Sequence, residues 1–198
     1  MKHLIAPLAL SLAFAAPAFA QEAGSFTVGL GFGHVAPKEN NGALANMRSD
    51  IGTDVRPVAT FEYFVQDNLG VELLLATPFK HAISLEGAGE IGETKHLPPT
   101  LSLNYHFANQ SAWTPFLGLG LNYTKFFEEK SSLGALKIKE SFGLSATLGL
   151  DYALDDTHAL RADLRYIDID SDVYLNGDNI GKVNVDPFVT SISYVTKF

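Results

Sequence analysis

Apolar residues recur at every second position of this chain, and that period restricts the fold more than any other feature. From Ser141 to Tyr152 the even positions are Phe142, Leu144, Ala146, Leu148, Leu150 and Tyr152; the odd positions are Ser141, Gly143, Ser145, Thr147, Gly149 and Asp151. A helix of period 3.6 would scatter these side chains round its axis, whereas a two-faced strand sorts them completely. The same alternation predicts eight strands, at 24–36, 54–66, 69–77, 98–108, 113–126, 140–153, 157–171 and 182–198. Most reach the roughly 9–11 residues that a tilted membrane strand needs, and they exceed the usual globular strand of about 5–6.

The connections alternate in length. Residues 66–68, 108–112 and 153–156 read as short turns, whereas 37–53, 78–97, 127–139 and 172–181 are longer and polar or Gly-rich, and are expected as loops. With an even number of strands, both termini and the short turns fall at one end and the long loops at the other. Short periplasmic turns and long external loops are the layout of an antiparallel transmembrane β-barrel.

Alternation alone does not say which face is outside, because a soluble barrel that encloses a ligand alternates too. The polar face decides. A solvated exterior would carry many Lys and Glu, but here that face is mostly Gly, Ser and Thr, which suit the narrow interior of eight strands. The few charges on it, Glu62, Glu72, Asp163, Arg161, Arg165 and Lys197, can pair across a lumen, and His106 joins them in a polar network. Unpaired charge there would be costly. Tyr63, Tyr105, Phe107, Tyr123, Tyr152, Tyr166, Tyr194 and Phe198 fall near strand ends, where rings suit the membrane–water boundary.

The amino terminus is read as an export leader. Lys2 precedes an apolar run from Leu4 to Phe14, and Ala18-Phe19-Ala20 supplies small residues for cleavage before Gln21. Residues 1–20 are therefore expected as a removed signal peptide and 21–198 as the barrel, in the bacterial outer membrane. Loss of Lys2 takes the formal charge of −8 one unit lower, so nucleic acid is not an expected partner. With no cysteine in the chain, disulfides and thiolate metal sites are excluded.

No motif for a cofactor or a catalytic centre is legible. Gly29-x-Gly31-x-Gly33 lacks the following helix of a nucleotide loop. Asp168-x-Asp170-x-Asp172 begins like a calcium loop, but Val173 and Asn179 stand where Gly and Glu are required; what stays open is a surface cation site. His81 and Ser84 lack the acid and oxyanion partners of a hydrolase. The chain is read as a non-enzyme.

Several stretches carry a family resemblance. Residues 67–79 read Asp-Asn-Leu-Gly-Val-Glu-Leu-Leu-Leu-Ala-Thr-Pro-Phe and continue Lys80-His81-Ala82-Ile83; His96-Leu97-Pro98-Pro99-Thr100-Leu101 follows. Pro115-Phe116-Leu117-Gly118-Leu119-Gly120-Leu121-Asn122-Tyr123-Thr124 and Tyr166-Ile167-Asp168-Ile169-Asp170 come later. Together they resemble the OmpW (outer membrane protein W) family over essentially the whole mature chain. The resemblance implies an eight-stranded barrel with a narrow hydrophobic channel, passive uptake of small hydrophobic molecules from outside, and lateral release into the membrane. Some relatives act as receptors, so a structural or receptor-type barrel with a plugged lumen and partner-binding loops is the alternative, although loops 3 and 4 are shorter here than in some members. Lipid and lipopolysaccharide are implied surroundings, and the terminal Phe198 looks like the signal read by the barrel-assembly machinery.

Proline gives the lateral exit a physical basis. Pro78 ends the third strand and Pro98-Pro99 open the fourth, and a residue without an N–H interrupts the ladder between them. Pro78, Phe79, Ile83, Leu97, Pro98 and Pro99 are the candidate path, with Leu85 and Ile91 as further lining. The same residues also fit plain strand ends and loop packing; the resemblance favours the exit.

Overall fold

The computed structural model describes residues 21–198, so the expected leader at 1–20 lies outside the described residues. In chain order the strands are β1 Phe26–Ala36, β2 Gly42–Leu44, β3 Met47–Ile51, β4 Asp54–Gln66, β5 Leu69–Ala76, β6 Phe79–Leu85, β7 Gly89–Leu97, β8 Thr100–His106, β9 Trp113–Ser131, β10 Leu136–Ile138, β11 Ser141–Ala153, β12 His158–Ile167, β13 Asp170–Leu175, β14 Asp178–Asn184 and β15 Phe188–Lys197. Eight of them, in the order β1-β4-β5-β8-β9-β11-β12-β15, pair antiparallel, and β15 returns to β1 from Thr27↔Lys197 to Ala36↔Phe188. Lipid offers no hydrogen-bond partner to a sheet edge, so closure is what lets such a sheet stand in a membrane.

The packing is inside-out relative to a soluble protein. Leu119, Phe142, Ile192, Leu144, Leu30 and Phe32 are exposed on the outer face, while Arg161 and Arg165 head the fully buried side chains by volume. The inner face is small because the lumen is full. A Cβ on Gly149 would collide with the Phe116 ring, and one on Gly70 with the Glu62 carboxylate. The aromatic residues assigned to strand ends are exposed there, and Phe26 stacks on Phe198 at 5.1 Å where the barrel closes.

The expected long loops are corrected by the structure: they are largely strand. Residues 37–53 hold β2 and β3, 78–97 hold β6 and β7, 127–139 hold the end of β9 together with β10, and 172–181 hold the end of β13, a turn at 176–177 and the start of β14. These pair in the order β10-β13-β14-β2-β3-β6-β7-β9 and form a collar above the barrel. The 19-residue β9 joins the two parts: its lower half pairs with β8 and β11, and its upper half with β7 from Leu97↔Lys125 to Gly92↔Ser131. Hairpin pairing satisfies backbone groups that a bare loop would leave to water.

Candidate functional site

Three layers fill the interior. At the turn end, Ala153, Ala159 and Val195 pack together, with Phe64 and Phe116 also buried. Above them lies a charged plug. Arg161 donates from Nε and Nη2 to the two Asp151 oxygens at 2.7 and 2.9 Å, and from Nη1 to Glu72 at 2.8 Å. Both its terminal nitrogens also reach Glu62 Oε2 at 3.2 Å, and its guanidinium lies 4.5 Å over the Phe116 ring. Arg165 donates to Glu72 at 2.7 Å; Asn104 and His106 donate to Glu62 at 3.0 and 2.9 Å. Bidentate Arg–carboxylate bonding offsets a burial that neither partner would tolerate alone.

The third layer is apolar. Val35, Val58, Leu74, Ile167 and Val189 face inward at the upper ends of the barrel strands, and their cluster continues into the collar through Phe79, Ile83, Leu85, Ile91 and Phe126. His81 and His96 sit within it, with Nε2 atoms 3.1 Å apart, and Phe79 and Phe126 each lie 5.6 Å from the His96 ring. These strands lie outside the membrane-spanning segments. Burial lowers the pKa of both rings, that of His96 to about 3 with His81 adding to the effect.

Beside this layer the wall is thin. β5 has 8 residues and β8 has 7, and their ladder stops at Leu74↔Thr100. By contrast, β9 and β11 pair from Ser141↔Thr124 to Tyr152↔Trp113. Pro78 lies beyond β5. Pro98 and Pro99 precede β8, and their carbonyls accept from Thr100, Asn122 and Tyr123. On the outer surface a hollow of about 340 Å³ opens here between Leu75, Ala76, Leu97, Pro99, Tyr123 and Lys125.

The six lumen residues read from the sequence share the inner face, and five are joined by the bonds above. Asp163 sits level with Gly149 and Ser191 on that face. Lys197 is half-buried near the end of β15, opposite Thr27. Among the path residues, Phe79 and Ile83 point inward while Leu97 borders the outer hollow. Asp151, Asn104 and the His81–His96 pair were not expected as partners. Each depends on cross-strand register, such as Asp151↔Arg161, which no single strand displays. The carboxylates grouped near the Asp168-x-Asp170-x-Asp172 stretch are Asp168, Asp170 and Asp186, not Asp172; Asp186 already holds Lys38 at 2.6 Å.

The fold is shared with known outer-membrane proteins. The OmpW family profile matches residues 22–198. This chain belongs to the OmpW family. Outer membrane protein W of Vibrio cholerae is 36% identical over 217 residues, covering all of both chains. The fold is similar to the crystal structure of OprG from Pseudomonas aeruginosa, with a TM-score of 0.80 at 32% identity, covering 91% of this chain and 99% of that one. AlkL of Ectopseudomonas oleovorans is 31% identical over 164 residues, spanning 78% of this chain and 71% of the relative. An AlkL structure in lipid bilayers gives a TM-score of 0.72 at 28% identity, covering 89% and 91% of the two chains. As an OmpW-family barrel, the protein resides in the bacterial outer membrane.

Proposed function

We propose that this barrel carries small hydrophobic molecules from outside the cell into the outer membrane, releasing them sideways between β5 and β8. One observation carries the reading: an apolar interior stands above a charge-bonded plug, and the wall beside it has its shortest strand pair and a proline-interrupted ladder. An apolar solute gains by leaving water for the upper layer. Going downward it would have to displace buried ion pairs at a cost of several kcal/mol. The hollow beside Leu97 and Pro99 opens on the outer surface at this level of the wall and supports a sideways exit instead. Pro78, Phe79, Ile83, Leu97, Pro98 and Pro99 are the residues of this path. Surrounding lipid and lipopolysaccharide receive the solute, and Phe198 serves barrel assembly.

Liposomes with and without the protein test this with a small hydrocarbon. Faster uptake is expected with protein, falling when Pro98→Val and Pro99→Val restore two donors to the fourth barrel strand. Flux unchanged by those substitutions would remove the lateral exit. The plugged lumen equally suits a receptor-type barrel. No protein-dependent flux, together with collar variants that lose partner binding, would establish that reading in its place.

A further inference from the structure

The two buried histidines have a hydrogen-bond polarity set from outside the pair. His81 Nδ1 lies 2.5 Å from the Gly52 carbonyl oxygen. A carbonyl only accepts, so Nδ1 carries the hydrogen, and a neutral His81 then has a bare Nε2. His96 Nε2 is 3.1 Å from that lone pair and must donate to it. One nitrogen is left over: His96 Nδ1 is a bare acceptor, buried, with no hydrogen-bond partner among the described residues.

Two other arrangements fit less well. A cation between the Nε2 atoms, or a proton on His81 Nε2, would put the His96 hydrogen on Nδ1. That makes a buried N–H with no acceptor and places a positive charge among apolar rings, where burial is costly. Burial also holds both rings neutral. A bare acceptor is a defect that a ligand carrying a donor can cure.

Its place in the fold gives it a ligand. His96 faces the apolar interior against Phe79 and Phe126, while the next residue, Leu97, borders the outer hollow. On the lateral route proposed above, a molecule crossing the wall beside Leu97 would pass next to the His96 ring. We propose that His96 Nδ1 accepts a hydrogen bond from solutes in transit, so that the barrel favours apolar molecules bearing one O–H or N–H, such as phenols and alcohols, over those with none. This rests on the lateral route proposed above. His81 is a positioning residue: through Gly52 it determines which His96 nitrogen is bare.

Protein-dependent uptake into liposomes is measured for 1-naphthol, 1-methoxynaphthalene and naphthalene. Relative to protein-free liposomes, naphthol is expected to lead its methyl ether by roughly three- to tenfold, the span of one net hydrogen bond. His96→Phe should bring naphthol down to the ether while ether and naphthalene flux persist. Equal protein-dependent flux of all three would overturn the donor preference and leave the lateral route standing; no protein-dependent flux of any would overturn both. Nitrogen-15 spectra of the histidine rings in nanodiscs give an independent reading on the unaltered protein. A bare His96 Nδ1 whose signal shifts with naphthol but not with the ether is expected, and a protonated Nδ1 would overturn the proposal.

Discussion

Arg161 shows how much can depend on one buried side chain. It is shared by Glu62, Glu72 and Asp151, all fully buried. Replacing it with Met keeps much of the volume but leaves three carboxylates around a missing cation. Removing one partner of a buried ion pair costs about 3–5 kcal/mol, so Arg161→Met is expected to lose at least that much stability in a urea titration in detergent micelles. A loss below about 1 kcal/mol would show that the carboxylates are already protonated or solvated. At this scale the sequence was informative about identity and about pairing across the lumen, but not about which charge meets which. Glu62, Glu72, His106 and Arg161 stood on the polar face of their alternations. Asp151 stood on such a face too, yet its bidentate bond to Arg161 follows only from the β11–β12 register, which is fixed by closure of the whole sheet.

At the scale of elements, the barrel strands were legible and the collar was not. Long alternations such as 141–153 mark themselves, because lipid demands an unbroken apolar face. The β6 segment also alternates, with Phe79, His81, Ile83 and Leu85 inward, but His81 breaks the apolar pattern and the strand spans only 7 residues. That histidine pair makes the hairpin sensitive to acid. His96 titrates near 3 in the fold, against an ordinary 6.5. Between those values the unfolded hairpin binds a proton that the folded one refuses. Its stability is therefore complete above about pH 6.5 and falls as pH drops toward 3. Amide exchange in β6 and β7, corrected for intrinsic rates, should accelerate over that window, while His96→Phe should flatten the dependence. Equal pH profiles for the two proteins would show that His96 is not the group responsible.

Across the whole molecule, the order of the layers separates two routes. If solute went through the lumen, the plug would be its gate, and anything that opened the plug would speed hydrocarbons and ions alike. If solute leaves above the plug, the two fluxes are independent. Glu72→Ala combined with Arg165→Ala removes a bonded pair together, so neither charge is stranded, while Arg161 keeps Asp151 and Glu62. Deleting both long side chains from a lumen in which Gly70 has no room for a Cβ against Glu62 creates a polar void, and polar voids of that size fill with water. The double variant is thus expected to raise ion conductance across planar bilayers while leaving hydrocarbon uptake by liposomes from the same preparation within about twofold of the parent. Hydrocarbon flux rising in step with conductance would place the route through the barrel floor. The apolar upper layer would then be a filter above a pore, with the proline-interrupted wall only a strand end.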